Sequence, residues 1–285
     1  MSETKFSIRV TKPTTATRRG TTFVRRDHLK RTRPIKALVK KHKRSLGRDV
    51  LGRISVRHRG GGAKRLYRVI STLGQCGTGP FKVIWLEYDP NRSAHIALIK
   101  NKAGRQFYIL AAADTKPGHE LEYGRGASIN ASNRLPVGQI PTGIEVHGLN
   151  LTPQGPIRVA RAAGNKATIM AHEGNFTLIK LPSGEVRRFD KRCEASIGAL
   201  SNEAHNTVRL GKVGRRRHMG VRPTVRGKAM YPAAHPHGGG EGNTSIGMKA
   251  PKTPWGKRTM GVKTRRRQDR GGFILKQRSK KRRTR

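Results

Sequence analysis

The uneven distribution of positive charge constrains this chain more than any other feature of its sequence. Residues 1–60 hold 19 Lys or Arg and 3 Asp or Glu, residues 61–200 hold 19 and 10, and residues 201–285 hold 24 and 3. A formal net charge of +46 destabilises a compact protein by self-repulsion, so the flanks require a polyanion. Nucleic acid is favoured, because each phosphate that is neutralised releases a condensed counterion.

The middle of the chain carries the apolar side chains that a core requires. Nine of the fourteen Phe, Trp and Tyr residues lie between residues 61 and 200. Flanks with few such residues cannot offset the entropy of ordering themselves, so we expect them to become ordered only against a partner.

Short apolar segments bounded by turn residues predict β-strands rather than helices in the middle of the chain. The predicted strands are 66–70, 81–88, 94–99, 105–110, 167–172, 176–181 and 186–190. Two prolines and two glycines in 133–143 predict a junction between two structural units. The fold class is therefore all-β, with two small barrels at about 61–125 and 126–200 between basic extensions at 1–60 and 201–285. One continuous sandwich is the alternative.

Sequence features of membrane or secreted proteins are lacking. No apolar run approaches the length of a membrane-spanning helix, and the start, M-S-E-T-K-F-S-I-R-V, has no apolar signal core. The two cysteines, Cys76 and Cys193, form neither a C-x-x-C pair nor a disulfide framework. We expect a cytoplasmic protein with no membrane partner.

A glycine triplet between basic residues lies in R-H-R-G-G-G-A-K-R-L-Y-R, residues 57–68. Glycine permits positive φ and close approach of the backbone to a ligand, and the flanking cations suit phosphates. A flexible linker into the first strand is the alternative, but a linker does not need so many cations. The predicted RNA contacts are Arg57, His58, Arg59, Gly60, Gly61, Gly62, Lys64, Arg65 and Arg68.

A second basic run, V-G-R-R-R-H-M-G-V-R-P-T-V-R-G-K, covers residues 213–228. Arg suits bidentate phosphate contacts and stacking on bases. A localisation signal or a solvated basic run is the alternative, but neither requires the backbone restriction that Pro223 imposes. The predicted RNA contacts are Arg215, Arg216, Arg217, Arg222 and Arg226. The basic tail, 271–285, is predicted to lie in a groove of folded nucleic acid and to be unstructured when free.

The stretch A-A-H-P-H-G-G-G-E-G, residues 233–242, is compatible with a metal site, a catalytic loop or a backbone shaped to fit RNA. Pro236 biases His235 to an extended conformation, which does not aim the two imidazoles at one metal ion. Ala233 and Ala234 occupy the positions where a nucleophile or a second acid would be needed. We therefore predict RNA contacts by His235, His237, Gly238, Gly239 and Gly240, with no catalytic residue, cofactor or metal ion.

Six motifs, in chain order, resemble those of the bacterial-type ribosomal protein L2 family. The resemblance covers about residues 10–270 and rests on 52–68, L-E-Y-D-P-N-R-S-A-H-I-A-L (86–98), L-P-S-G-E-V-R (181–187), G-V-R-P-T-V-R-G-K-A-M-Y-P (220–232), H-P-H-G-G-G-E-G (235–242) and T-P-W-G (253–256). It implies an oligonucleotide-binding-type barrel followed by an SH3-like barrel, with basic arms in the RNA of the large ribosomal subunit. It also implies contacts with other ribosomal proteins and the small subunit, roles in subunit assembly and association, and support of the peptidyl-transferase region.

The chain departs from the family pattern at three positions. Ala234 stands where Asp is common, Ala63 where His is common, and His218 where Trp is common. Ala234 removes an Asp–His relay, which weakens a role for His235 as a tuned acid or base. The rival functions are an enzyme or enzyme cofactor of peptide-bond formation that uses His235, and a general nucleic-acid condenser.

Overall fold

The chain forms two compact units, each built from segments that are distant in the sequence. The computed structural model describes residues 8–41, 46–77, 79–262 and 272–278. Unit 1 comprises the described residues of Met1–Lys43, Lys64–Lys212 and Gly271–Arg285, and unit 2 those of Arg44–Ala63 and Val213–Arg270.

The first part of unit 1 contains eight strands, of which four form one antiparallel sheet. In chain order, the eight strands are β1 (Ile8–Val10), β2 (Thr22–Val24), β3 (Val39–Lys41), β4 (Leu66–Arg68), β5 (Phe81–Glu87), β6 (Ile96–Lys100), β7 (Gln106–Leu110) and β8 (Glu120–Leu121). The sheet has the order β7-β6-β5-β8, and β1–β2 and β3–β4 form two-stranded pairs. Strand β6 is buried on both faces: Ala97 and Ile99 join one apolar cluster, and Ile96 and Leu98 the other. The period of two along a strand produces this division.

The second part of unit 1 contains nine strands, of which seven form one antiparallel sheet. The nine strands are β9 (Arg134–Pro136), β10 (Glu145–His147), β11 (Leu149–Asn150), β12 (Ile157–Val159), β13 (Ala167–Glu173), β14 (Phe176–Lys180), β15 (Val186–Asp190), β16 (Glu194–Ile197) and β17 (Ile274–Lys276). The order is β17-β15-β14-β13-β10-β16-β9, and β11 pairs with β12. A separate buried cluster, which includes Val146, Ile169, Ile179 and Phe189, forms the core of this sheet.

Arg134, the first residue of β9, is buried in this second part with its charge fully engaged. Its side chain is 1% exposed, and Nε donates to Glu194 Oε2 at 3.0 Å. One terminal nitrogen donates to the Gly148 carbonyl at 2.9 Å and the other to Asn150 Oδ1 at 2.7 Å. A buried guanidinium is stable only with such partners, so Arg134 ties β9 to β16 and to the β11 strand.

Helical structure is confined to short segments. The α-helix α1 covers Val213–His218, and the 3-10 helices cover Lys36–Leu38, Leu73–Cys76, Val137–Gln139, Glu203–Thr207 and Gly227–Ala229. Within the described residues, no helix is long and apolar enough to cross a membrane.

The prediction of an all-β chain is confirmed, and the predicted strands match observed strands to within two residues at nearly every end. The junction predicted at 133–143 is wrong, because Leu135, Val137 and Ile140 belong to the core of the second sheet. The domain boundaries at 60/61, 125/126 and 200/201 stay predictions. Residues 271 and 279–285 of the predicted arm lie outside the described residues, and Ile274–Lys276 of the same arm form β17 rather than an unstructured segment.

Both cysteines are free and buried. Burial raises the pKa of the Cys76 thiol to about 12 and that of Cys193 to about 11. Both therefore remain protonated near neutral pH and pack as small apolar side chains.

Candidate nucleic-acid interface

The two basic motifs predicted to bind RNA pair with one another in unit 2. Arg59 and Val221 form an antiparallel bridge. Three further backbone hydrogen bonds join the segments 58–63 and 218–222: Gly60 N–H to Gly220 O at 3.1 Å, Ala63 N–H to His218 O at 2.9 Å and Arg222 N–H to His58 O at 3.0 Å. Segments far apart in the sequence thus form one small basic scaffold, which we call the paired segments.

The glycine triplet of the first motif is required by this pairing. Gly60, Gly61 and Gly62 have φ of 145°, 60° and 87°. A Cβ on Gly62 would lie 2.9 Å from both Gly220 N and His218 O. The triplet therefore permits close approach of one protein segment to another, and close approach of RNA is not needed to explain it.

The arginine triplet of the second motif lies on α1, which ends beside the paired segments. Gly220, with φ of 89°, follows the last turn, and its N–H donates to the Arg217 carbonyl at 2.9 Å. This is the C-terminal capping conformation for which glycine is favoured. Cations in the last turn also complement the negative end of the helix dipole. Arg216 and Arg217 are exposed, whereas Arg215 is half-buried.

Unit 2 carries a large excess of positive charge. The two stretches that form the unit, 44–63 and 213–270, hold 20 Lys or Arg and 3 Asp or Glu. Within the described part of the chain, every ion pair lies in unit 1. Four arginines predicted to contact RNA are exposed and belong to no ion pair within the described residues: Arg57, Arg59, Arg222 and Arg226. Their guanidinium groups are available to phosphates.

An exposed tryptophan accompanies the first motif, and the predicted contacts did not include it. The guanidinium of Arg57 lies 5.2 Å from the centre of the Trp255 ring, and Trp255 is 72% exposed. A large exposed aromatic side chain among cations is a typical surface for stacking on an unpaired base. The T-P-W-G motif was the signal that could have identified it.

The first of the two predicted histidines supports the glycine-rich loop from within. His235 is 7% exposed, and its Nδ1 accepts a hydrogen bond from the His237 N–H at 3.0 Å. A Cβ on Gly227 would collide with the His235 ring, so the ring occupies space that only a glycine leaves open. The predicted RNA contact of His235 stays a prediction, and its burial does not favour it.

The second histidine joins this loop to a later segment. Nε2 of His237 accepts a hydrogen bond from the Lys252 N–H at 2.8 Å, and the two imidazoles lie 4.7 Å apart. Each ring uses one nitrogen as an acceptor for a backbone N–H, which requires that nitrogen to be unprotonated. Within the described residues, no group of three or more His, Cys, Asp and Glu could hold a metal ion.

The glycines that follow the histidines serve this local fold as well. A Cβ on Gly238 would collide with the Tyr231 carbonyl, and the Gly239 N–H donates to the Met230 carbonyl at 3.0 Å. Gly239 and Gly240 both have φ of 87°. The loop therefore has a definite shape that its own contacts maintain.

The remaining predicted residues belong to unit 1 and divide into exposed and internal cations. Lys64 is exposed, whereas Arg65 is half-buried and donates to the Pro90 carbonyl at 2.8 Å. Arg68 is 8% exposed, and its guanidinium lies 3.8 Å from the buried Asp89 carboxylate. Asp89 also pairs with Arg92 at 2.6 Å. The D-P-N-R turn thus places a carboxylate beside the buried Arg68, and we do not assign Arg68 to the interface.

Two protein-family models match the chain. Residues 35–122 match the model described as "Ribosomal Proteins L2, RNA binding N-terminal domain", and residues 130–256 match "Ribosomal Proteins L2, C-terminal domain". The first match includes the glycine triplet at 60–62, and the second includes α1 and the glycine-rich loop. The chain therefore belongs to the ribosomal protein L2 family, and its role is that of a structural, rRNA-binding protein of the large ribosomal subunit rather than an enzyme.

Proposed function

We propose that the paired segments of unit 2, with α1 and the glycine-rich loop, form the principal rRNA-binding surface of this protein. The cationic contacts that we assign to this surface are Arg57, Arg59, Arg215, Arg216, Arg217, Arg222 and Arg226. Lys64 and Arg65 of unit 1 are further phosphate contacts. The glycine-rich loop meets RNA by its backbone shape, with the exposed part of His237 as a polar contact.

One observation carries this proposal: backbone hydrogen bonds join the distant segments 58–63 and 218–222, and no ion pair within the described residues includes their arginines, Arg59 and Arg222. The paired segments order the backbone that carries these arginines before RNA binds, so less conformational entropy is lost on binding. Arg is also the cation best suited to bidentate phosphate contacts.

We further propose that this protein supports the assembly of the large subunit, its association with the small subunit, and the peptidyl-transferase region. A basic protein that bridges RNA segments favours the compact form of the RNA by neutralising phosphates that would repel one another. Other ribosomal proteins and the small subunit are the partners that this role implies, and the cytoplasm is its location. Membership of the family supports these assignments.

The proposal is tested by the binding of the full chain to large-subunit rRNA, with small-subunit rRNA for comparison. We expect a discrete nuclease footprint on the large-subunit rRNA only, whereas diffuse protection of both RNAs would indicate a general condenser. The double variant R59Q/R222Q should bind about tenfold more weakly, and its log–log salt slope should be less steep by about 1 to 2.

The matched control is R105Q, which removes an exposed arginine from the turn between β6 and β7 in unit 1. We expect its affinity to stay within about twofold of that of the unsubstituted chain, because it leaves unit 2 intact. An equal loss of affinity in R105Q and R59Q/R222Q would overturn the assignment of the interface to unit 2.

A further inference from the structure

Unit 2 contains a cavity of about 230 Å³ beside the paired segments. A short hairpin, residues 47–56, forms one wall, and backbone hydrogen bonds of 2.9 Å close it: Asp49 N–H to Arg53 O and Ser55 N–H to Gly47 O. A Cβ on Gly47 would collide with the Val56 carbonyl, so the close approach of the two hairpin strands requires glycine there. The opposite wall is formed by Arg59, Gly60 and Arg222.

The cavity has an aliphatic face and a cationic face. Leu46, Ile54 and Val56 line the first and are 45%, 62% and 53% exposed. Arg48, Arg59 and Arg222 line the second, and no ion pair within the described residues includes any of them. Three exposed aliphatic side chains beside unpaired cations form a surface that favours a partner with both apolar and anionic parts.

The backbone at this cavity adopts conformations that its residue types disfavour. Leu46 and His58 both line the cavity, and their φ values are 53° and 62°. Non-glycine residues in the left-handed region are uncommon, and they are concentrated at ligand-binding sites. Histidine tolerates this region better than leucine does, so Leu46 in particular indicates that the shape of the cavity is maintained at a cost to stability.

We propose that this cavity binds one unpaired, unstacked nucleotide of the RNA. The base lies against Leu46, Ile54 and Val56, and the adjoining phosphates lie against Arg59 and Arg222. The volume equals that of about eight water molecules in the liquid, which admits one base and excludes a base pair within a duplex. Inorganic phosphate uses only the cationic face, and an apolar protein side chain uses only the aliphatic face. A nucleotide uses both, as in the recognition of splayed-out bases in RNA loops and bulges.

This inference rests on the proposed function, since it requires RNA at unit 2. The experiment uses the full chain and two RNA hairpins of identical length, one with a single bulged 2-aminopurine and one with that base paired. We expect the bulged hairpin to bind about tenfold more tightly and its 2-aminopurine fluorescence to change on binding. The variant I54S should lose this preference and keep its affinity for the paired hairpin.

The matched control is V225S, which removes an aliphatic side chain of unit 2 that is 58% exposed and does not line the cavity. It should keep the preference for the bulge. Equal affinity of the unsubstituted chain for both hairpins, with no change in fluorescence, would overturn the inference and leave the proposed function standing. Loss of the preference in both I54S and V225S would also overturn it. Failure to bind either hairpin, together with a missing footprint on large-subunit rRNA, would overturn the proposed function itself.

Discussion

The Cα of Gly62 lies against the backbone of Gly220, so closely that a Cβ on Gly62 would come within 3.0 Å of Gly220 Cα. Backbone atoms cannot move aside as the end of a flexible side chain can. The two basic motifs, whose like charges repel, are therefore held together by a backbone contact that depends on the absence of a Cβ at Gly62.

Substitution of Gly62 by alanine should open the paired segments. The added methyl collides with backbone and also adopts a positive φ of 87°. We expect hydrogen-exchange protection of the amides of Gly60, Ala63 and Arg222 to fall by about 100-fold, which corresponds to about 3 kcal/mol.

The variant G61A separates these two effects. Gly61 has φ of 60°, but a Cβ there meets nothing within 4 Å. It carries only the backbone strain, about 1 kcal/mol, so protection should fall by less than tenfold. Equal losses in G61A and G62A would show that close packing against Gly220 is not what the triplet provides.

His235 should act through the acceptor at Nδ1 and not through titration. Asn places Oδ1 near the position of Nδ1, so H235N keeps an acceptor for the His237 N–H, whereas H235A does not. In reconstituted large subunits, H235N should support peptidyl transfer within about twofold, while loss of a general acid or base costs about 100-fold or more. The H235A loop should be cleaved faster by protease. An H235N subunit that assembles normally and loses about 100-fold in single-turnover transfer would identify the imidazole as a catalyst.

Removal of the Arg134 charge should destabilise the second sheet strongly. R134M leaves the Glu194 carboxylate, the Gly148 carbonyl and Asn150 without their partner, and broken pairs of this kind cost about 3–5 kcal/mol. Urea denaturation followed by circular dichroism measures the loss. An exposed ion pair provides the control: K166A, which breaks the pair with Glu145, should cost less than about 1 kcal/mol. Similar losses in R134M and K166A would contradict the structural role of the buried pair.

Stability should fall in mild acid because two histidines are buried in the neutral form. Burial lowers the pKa of His147 to about 4 despite the hydrogen bond from its ring to the Gly198 carbonyl, and Arg134 lowers it further. Burial also lowers the pKa of His95 to about 4, with His28, Arg26 and His205 adding to the effect.

Each histidine has a pKa near 6.5 in the unfolded chain, so the unfolded state binds more protons between about pH 6.5 and pH 4. The contribution of the two neutral histidines to the free energy of unfolding is therefore fully present above about pH 6.5. The free energy of unfolding falls as the pH decreases below this value, by up to about 1.4 kcal/mol per pH unit for each histidine. H147N keeps an N–H donor for the Gly198 carbonyl and should reduce this slope, whereas the exposed-site control H119N should not. An unchanged slope in H147N would exclude His147 as its source.

Strands were predictable from the sequence because their signal is local. The segments 176–181 and 186–190 are short, contain aromatic or β-branched residues and are bounded by turns, and the observed β14 and β15 follow them closely. The segment 133–143 misled the prediction because Pro and Gly mark the ends of core strands as well as linkers. In the structure, Pro136 ends β9, and the buried Val137 follows it at once.

The roles of individual basic residues were less predictable, because they depend on partners distant in the sequence. Arg68 and Arg59 look alike in the sequence, yet only Arg68 is buried and lies beside the Asp89 carboxylate. The burial of His235 depends on the missing Cβ of Gly227, and the cavity depends on the positive φ of Leu46. No local pattern reports such relationships.

The pairing of 58–63 with 218–222 also sets an order of events during synthesis. Ribosomes make the first segment long before the second, and the four-stranded sheet and six of the seven strands of the second sheet are encoded between them. Because domains fold as they emerge, the sheets can form while the glycine triplet still lacks its partner. The paired segments are thus completed only after residue 222 has been made. A chain that stops before this point would present folded strands without a finished interface, so synthesis past the second segment acts as a condition for joining the subunit.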